Sequence, residues 1–262
     1  MREDCRAPHA LRAVGLRWLA GAVAGLGLAA GGAAADPATP GWYAAIDLGA
    51  HLHQDAPTTS QLDEPDGRPA QLRFHTDERF AGFVRVGYRA APHLRFELEG
   101  GWRPGDLRSI VEYRTYLRAP GSILAVCGAG PGACPSPSGG LTAASLMGNV
   151  YLDLWPIGRR LLPYVGVGAG VADVRLQTAG SFQGPAAPGR LGIDDADVRP
   201  AYQALAGAAI RLDAHWTADL GYRLFYSGGQ RWRTTATGAI PLGDIRGMYM
   251  DHAFTLGARY AF

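Results

Sequence analysis

The chain contains no lysine. All 25 of its Lys-or-Arg positions are Arg, and with 23 Asp and Glu residues its formal net charge is only +2. A charge so close to balance offers no electrostatic basis for binding nucleic acid, so we expect no nucleic-acid partner. Hydrophobic residues make up 47% of the chain, yet beyond residue 35 no apolar run reaches the roughly 20 residues that a membrane-spanning helix needs. This combination favours alternating strands over a helical membrane protein.

The first 35 residues are organised like a secretory signal peptide. Four arginines precede an apolar segment, Trp18 to Ala30, and a run of three alanines before Asp36 fits the small-residue pattern of a cleavage site. The alternative is a retained helical anchor, but the segment is short, rich in Gly and Ala, and soon followed by prolines. We therefore expect residues 1–35 to be a cleaved signal peptide and residues 36–262 to form one mature domain.

Cysteine is scarce, with three residues in the whole chain. Cys5 lies in the basic start, which is a poor position for a lipoprotein acceptor. Cys127 and Cys134 flank a short stretch rich in Gly and Pro. Because an exported chain meets an oxidising compartment, we expect a disulfide between them. A metal site is the weaker alternative, since two thiols without a nearby histidine fall short of a closed zinc shell.

The last nine residues, Phe254 to Phe262, show a pattern that recurs through the chain. Their apolar side chains alternate with small or polar ones, which is the period of two that a strand requires. The chain also ends on an aromatic residue of the apolar face. A strand that closes a barrel inside a bilayer tolerates such a face, because lipid covers it. Comparable alternation begins near Trp42, Phe80, Leu94, Ser145, Pro163, Ala201 and Trp216.

Short turns and long irregular segments alternate between these stretches, as they do in transmembrane β-barrels. Outward aromatic residues near the strand ends indicate two girdles at the lipid boundaries, which favours a barrel over a soluble β-sandwich. We predict an all-β fold, an antiparallel transmembrane up-and-down β-barrel of eight strands. Ile110–Leu117 and Ile123–Val126 are predicted to form a hairpin above the membrane; if they span it instead, the count becomes ten. The predicted long loops are 54–78, 105–140, 176–200 and 227–250.

Charged residues of the predicted strands share the inward parity. The interior of a barrel of this size is just wide enough for side chains to fill it, so opposite charges there can pair. An Arg that faces lipid at mid-depth would cost about 2–4 kcal/mol, which accounts for the shared parity. Glu97 and Glu99 could instead form a catalytic pair or an ion path, but each has arginines nearby, which favours structural pairing. The predicted lumen charge network is Asp47, Arg85, Arg95, Glu97, Glu99, Arg103, Asp153, Arg211, Asp219, Arg223 and Arg259.

Other motifs give weak functional signals. Gly166 to Gly170 superficially resembles a phosphate loop, but no helix signal follows it and no lysine completes it. His51 and His53 share one face near the rim, without an evident third metal ligand. His252 opens the last strand, and no serine, histidine and acid arrangement is readable around it. We therefore expect no catalytic residue, no cofactor and no metal.

Seven short motifs together identify an architecture, and they are Trp42-Tyr43, Val86–Arg89, Phe96–Glu99, Asn149–Asp153, Pro163–Gly170, Leu220–Arg223 and Arg259–Phe262. On these motifs the chain from about Trp42 to Phe262 resembles the small OmpA-type, porin-like family of outer-membrane β-barrels. The resemblance implies location in the bacterial outer membrane. It also implies that the barrel assembly machinery reads a C-terminal aromatic signature, which Tyr260 and Phe262 match. The family's periplasmic peptidoglycan-binding domain is not expected here.

The resemblance identifies the architecture well and the activity poorly. We expect a non-enzymatic barrel that supports envelope integrity or presents surface loops for adhesion or host contact. The alternatives are a narrow porin-like channel for small solutes and, less favoured, a lipid A-modifying barrel enzyme. The expected partners are outer-membrane lipid and lipopolysaccharide, the barrel assembly machinery, periplasmic chaperones, and an extracellular ligand that contacts the long loops.

Overall fold

The computed structural model describes residues 40–54, 56–63, 68–112, 125–157, 161–183, 189–238 and 242–262. The predicted signal peptide lies outside these residues. No helix among them is long and apolar enough to cross a membrane. Thirteen strands occur in this part of the chain: β1 Gly41–His53, β2 Ala56–Asp63, β3 Pro69–Thr76, β4 Arg79–Ala91, β5 Leu94–Arg103, β6 Leu107–Glu112, β7 Ala125–Cys127, β8 Ser138–Asp153, β9 Leu161–Gln183, β10 Arg190–Arg211, β11 Trp216–Trp232, β12 Thr234–Thr237 and β13 Ile245–Ala261.

Eight of these strands close into a ring in which every neighbouring pair is antiparallel. The order around the ring is β1, β4, β5, β8, β9, β10, β11 and β13, and β13 pairs back with β1 over Tyr43–His53 and Asp251–Ala261. Short turns join the strands at the base, for example Ala91 to Leu94 between β4 and β5. The predicted all-β antiparallel barrel is confirmed.

The remaining five strands continue the same wall upward. β13 pairs with β2, β2 with β3, β3 with β6, β6 with β7, and β7 with β9. β12 extends β11 and pairs with β10. We call this upper part the turret: β2, β3, β6, β7 and β12, with the upper parts of β8, β9, β10, β11 and β13. The lower part of the ring is the lower level.

The turret replaces most of the predicted long loops. β9 has 23 residues and β10 has 22, which is about twice the 9–11 residues that cross a bilayer. The predicted loop 176–200 is therefore wrong where the structure describes it, as are most of the loops 54–78 and 227–250. Within the predicted loop 105–140, the described strands are β6, β7 and the start of β8. The predicted hairpin is present where the structure describes it, since Ile110 of β6 pairs with Val126 of β7. Alternation continues in these segments, but their polar residues face outward and give them the composition of loops.

The two levels bury opposite kinds of side chain. In the lower level the outward residues are apolar: Leu98 is 57% exposed, whereas the adjacent Glu99, which points into the bore, is 0% exposed. In the turret the inward residues are apolar and form one contiguous core. The buried core residues are Ala70, Leu72, Phe74, Leu107, Ile110, Val126, Leu141, Ala143, Met147, Ala172, Val174, Leu176, Phe182, Leu191, Ile193, Ala201, Phe225, Trp232, Leu242, Ile245 and Tyr249.

Candidate functional site: the filled bore and the turret wall

Arg85 lies at the centre of the lower bore, where four strands meet. Its guanidinium donates to Asp47 on β1 at 2.7 Å and to Glu97 on β5 at 3.0 Å, and it reaches Asp219 on β11 at 3.4 Å. Asp219 also pairs with Arg259 on β13. Charge-assisted bonds of this kind are stronger than neutral ones, so the cluster ties opposite walls of the barrel together.

A second cluster fills the bore towards the base. Arg95 on β5 donates to Asp153 on β8 at 2.9 Å and to Glu97 at 3.1 Å. Arg89 on β4 reaches the same Asp153 at 2.8 Å. The hydroxyl of Tyr43 donates to Glu97 at 2.7 Å, which joins this cluster to that of Arg85.

We call the ion pairs and hydrogen bonds that fill the lower bore the plug, and Arg223 on β11 organises its upper part. It donates to Asp47 at 2.6 Å, to the hydroxyl of Thr255 at 2.6 Å, and to Glu99 at 3.3 Å. Gln203 on β10 also donates to Glu99, at 3.1 Å. Both glutamates that the sequence offered as a catalytic pair or ion path therefore carry several bonds to arginine or amide groups.

Arg103 marks the boundary between plug and apolar core. Its guanidinium lies over the rings of Phe225 at 4.0 Å and Phe83 at 4.7 Å, and it donates to Ser145 at 2.8 Å. It also approaches Asp251 at 3.5 Å. A cation held between aromatic faces and a carboxylate can be buried at this level without contact with water.

His51 shares Asp251 with Arg103. Its Nδ1 lies 2.7 Å from Asp251 Oδ1, and its Nε2 lies 2.6 Å from the carbonyl oxygen of Pro104. Both ring nitrogens face acceptors, so neither is left for a metal ion or for proton transfer to a substrate. His53, the other histidine of the candidate metal pair, contacts the ring of Tyr249 with ring centroids 4.6 Å apart.

The structure brings together ten of the eleven residues of the predicted lumen charge network. Arg211 is the exception: it is partly exposed at the base of β10 and makes none of the ion pairs of the network in the described part of the chain. Five further side chains, which were not predicted as members of this network, supply hydrogen bonds inside the bore: Tyr43, Asn149, Gln203, Thr255 and Asp251. Four of these side chains are neutral and so carried no charge signal, although their parity is inward. Asp251 precedes His252, where the last strand was predicted to begin.

The backbone ladder between β10 and β11 is interrupted within the turret wall. β10 and β11 pair up to Ala201 and Ser227, and pairing with β10 resumes only at Ile193 and Thr234 of β12. We call the interval between them, residues 194–200 and 228–233, the seam. Two aspartates of β10 bridge the seam, and each does so with its side-chain carboxylate rather than with a backbone carbonyl.

The two bridging aspartates lie two residues apart. Asp197 accepts the backbone N–H of Arg231 at 2.7 Å, and Asp195 accepts that of Arg233 at 2.9 Å. The Arg233 guanidinium also donates to Asp195, and this bond holds the pKa of that carboxyl below its usual value. On the opposite edge of β10, where the ladder with β9 is intact, Arg175 donates to Asp194 at 2.7 Å, and this bond lowers the pKa of Asp194.

A disulfide joins Cys127 and Cys134, the pair that the sequence predicted. The disulfide closes a segment of chain that leaves the sheet after β7 and returns to it at β8. Cys127 pairs with Ser181 of β9 and Ser138 pairs with Ala179, so residues 128–137 leave and rejoin the wall across a single position of β9. The excursion contains no charged residue and most of it is exposed. We call residues 128–137 the knob.

The terminal aromatic residues lie at the base, on the outward side. Tyr260 contacts Trp216 with ring centroids 5.0 Å apart and Phe262 with centroids 5.6 Å apart. The backbone N–H of Phe262 donates to the carbonyl of Trp42, so the last residue is bonded to the first strand of the ring. Tyr260 and Phe262, the residues of the predicted C-terminal signature, therefore lie where β13 meets β1.

A family model described as the outer membrane protein beta-barrel domain matches residues 20–262. No curated protein matches the chain. Among solved structures, the outer membrane protein OprG from Pseudomonas aeruginosa is similar at 11% identity and a TM-score of 0.49, over 86% of this chain and 98% of OprG. Neisserial surface protein A is similar at 16% identity and a TM-score of 0.44, over 86% and 99% of the two chains. Ail of Yersinia pestis, in complex with the heparin analogue sucrose octasulfate, gives 13% identity and a TM-score of 0.36, over 85% and 99%.

Proposed function

The chain belongs to the family of outer-membrane protein β-barrel domains and lies in the bacterial outer membrane, and from this premise we propose that it is a closed, non-enzymatic barrel that presents the turret for contact at the cell surface. The observation that carries the proposal is the filling of the bore at two levels. The lower level holds an ion-pair plug, and the turret holds an apolar core above it.

A plug of this kind opposes conduction in two ways. The guanidinium of Arg85 is bonded to carboxylates from three different strands, so a passing ion would have to break several buried charge-assisted bonds. Above the plug, Trp232 and Phe225 lie among packed apolar side chains with almost no exposure. A hydrated ion entering that core would lose its water without gaining polar partners.

Planar bilayer recording tests the closed state. The purified full-length mature barrel is inserted at several concentrations, and its folding is checked by the gel mobility of boiled and unboiled samples. We expect no single-channel steps above the lipid background, because neither level leaves a polar path. Reproducible steps that scale with the amount of folded protein would overturn the closed barrel in favour of the narrow channel, which is the second candidate.

The absence of enzymatic activity is part of the same proposal. Among the described residues, His51 has acceptors at both ring nitrogens and Glu97 and Glu99 are tied to arginines, so these side chains have structural partners rather than a free role in chemistry. On the lipid-facing side, His252 bonds to the hydroxyl of Tyr222 at 2.8 Å. Overexpression followed by mass analysis of lipopolysaccharide tests this point, and loss of acyl chains would support the enzyme alternative.

The turret is the part that we propose meets partners outside the cell. In the described part of the chain its outer face carries many polar residues and is built mostly on strands, which suits a rigid contact surface. The exposed polar residues include Thr59, Gln61, Gln71, Asp173, Arg175, Gln177, Arg190, Asp194, Arg231, Arg233 and Arg246. We propose lipopolysaccharide as the neighbour at its foot and an extracellular ligand higher on its wall. Comparing a deletion strain with its complemented parent for adhesion and for detergent resistance separates surface contact from envelope integrity.

We also propose that residues 1–35 are removed as a signal peptide, that periplasmic chaperones carry the mature chain, and that the barrel assembly machinery reads Tyr260 and Phe262. Replacing Phe262 with Ser should sharply lower the yield of folded barrel in the outer membrane. Phe254→Ser is the matched control, because it makes the same change at another exposed phenylalanine, within β13 and away from the terminus. Equal yields for the two variants would remove the support for a terminal signature.

A further inference from the structure

The seam is an interruption in the backbone pairing between β10 and β11. Pro200 has no N–H to offer at its lower end, and Gly229 adopts a φ of +73° within a bulge that shifts the register between Ser227 and Gln230. Regular pairing of β10 with β11 is therefore blocked at this point by local backbone geometry. The seam lies immediately above the cross-strand pair of exposed tyrosines Tyr202 and Tyr226.

The two aspartates replace the missing backbone hydrogen bonds with longer bridges through their side chains. Asp197 faces Arg231 and Asp195 faces Arg233, which are the positions that would have paired if the register of Ala201 and Ser227 had continued. A carboxylate that accepts the N–H takes the place of a backbone carbonyl, so the strands stand apart by the length of a side chain. The aspartate side chains are only 14% and 19% exposed, which keeps these bonds partly shielded from water.

Trp232 backs the seam from inside. Its side chain is 1% exposed, and its indole N–H donates to the carbonyl of Val174 at 2.9 Å. Val174 belongs to β9, so the indole reaches from β11 past β10 to the next strand. Separation of β10 from β11 would uncover this ring and the apolar core of the turret behind it.

We propose that the seam is an acid-sensitive opening in the turret wall, held shut by the carboxylates of Asp195 and Asp197. The charged groups around them come from every neighbouring strand. Arg233 and Arg231 approach from the β11–β12 side, and Arg199 donates to Asp197 within β10 itself. From β9, Arg175 is bound to Asp194, and from the segment before β13, Asp244 is bound to Arg231.

The direction of the response follows from the charge of the acceptor. The bond from Arg233 lowers the pKa of Asp195, so the bridge is intact above the ordinary aspartate pKa of about 3.9 and is lost as the pH falls through the lowered value. A protonated carboxyl is a poorer acceptor and no longer attracts the guanidinium. Because backbone pairing is missing over this interval, the two carboxylates supply bridges between β10 and β11 there, above the bond from the hydroxyl of Ser227 to the carbonyl of Pro200.

Amide hydrogen exchange of the folded full-length barrel in detergent tests the proposal. The quantity is the protection of the Arg231 and Arg233 amides, corrected for the intrinsic effect of pH. In the unaltered chain we expect protection to fall by about tenfold or more between pH 7 and pH 2.5, while amides of the lower level stay protected. The double variant Asp195→Ala with Asp197→Ala should show the low protection already at pH 7 and little further change with acid.

Asp194→Ala is the matched control. It removes a neighbouring aspartate that bonds to Arg175 where the ladder between β9 and β10 is intact, so the seam amides should keep their protection. The proposal is overturned if the double variant protects Arg231 and Arg233 as well as the unaltered chain does, or if Asp194→Ala exposes them equally. Gel mobility of unboiled samples establishes that each variant has formed its barrel.

Discussion

The lower level and the turret share five strands, β8, β9, β10, β11 and β13, yet they place polar and apolar side chains on opposite sides. In the lower level Leu98 and Leu256 face out and Arg85 faces in, whereas in the turret Leu72 and Trp232 face in and Arg175 faces out. The outer solvent accounts for the difference. Lipid accepts apolar residues and penalises charge, while water drives apolar residues into the bore.

The inversion also changes what holds each level together. The lower level gains little from burying apolar side chains, because lipid tails are as apolar as the interior, and its bore is held by ion pairs and hydrogen bonds. The turret is assembled like a water-soluble barrel around an apolar core. One continuous strand such as β9 therefore passes through two different energetic regimes, and the same substitution should have different consequences in each.

Removing one charge from the plug should give the largest effect. Arg85→Met leaves Asp47, Glu97 and Asp219 without their shared cation, and breaking a buried pair in this way costs about 3–5 kcal/mol. The matched change in the turret, Arg175→Met, removes an exposed ion pair and should alter stability little. The measurement is the free energy of unfolding by urea in detergent or lipid. Equal losses would mean that the two levels do not differ as described.

Truncating a tryptophan should lower the free energy of unfolding more in the turret than in the lower level, which is the reverse of the result expected for the charge substitutions. Trp232→Ala empties the centre of the turret core and removes the hydrogen bond to Val174, and a buried aromatic truncation costs about 3–5 kcal/mol. Trp42→Ala removes a side chain that is 59% exposed on the outer face of β1 and should cost clearly less. The same unfolding measurement compares them. A larger loss for Trp42 would show that the apolar filling of the turret contributes little.

Adding a charge to the outer face tests directly whether lipid or water surrounds each level. Leu98→Arg places a cation on the lipid-facing side of β5 and should cost about 2–4 kcal/mol if it lies near mid-depth. Gln71→Arg places the same cation on the outer face of β3, where water solvates it, and should be nearly neutral. Unfolding in lipid vesicles gives both values. A strong loss at Gln71 would place that part of the wall in lipid as well.

The faces of the lower level could be predicted from the sequence because lipid enforces a strict alternation. Leu98 and Glu99 lie on the expected sides, and the inward parity of charge located ten of the eleven expected network residues in the bore. The pairing within the bore could not be read in the same way. Arg85 meets Asp219 across 134 positions of sequence, and only closure of the ring brings these two side chains together.

The strands of the turret were not predicted because their apolar residues face inward and their polar residues face outward. Leu72 and Phe74 on β3, and Leu191 and Ile193 on β10, alternate as regularly as the lipid-facing residues, but they are interleaved with charged or polar residues. Interpreted by average polarity, such segments resemble loops. Interpreted by period alone, they are strands whose apolar side faces inward, so the period would have been the better guide outside the membrane.

Removing the knob should have the smallest effect. It tests whether the stability of the turret comes from strand pairing rather than from this excursion. Cys127 and Ser138 face Ser181 and Ala179, with only Gly180 between them, so one residue can replace 128–137 without a change of register. With Cys127→Ser added to avoid a free thiol, we expect the free energy of unfolding to change by about 1 kcal/mol or less. Heat-dependent gel mobility should stay normal. A collapse of folding would mean that the disulfide-closed excursion, rather than the pairing of β7 and β8 with β9, holds this side of the wall in place.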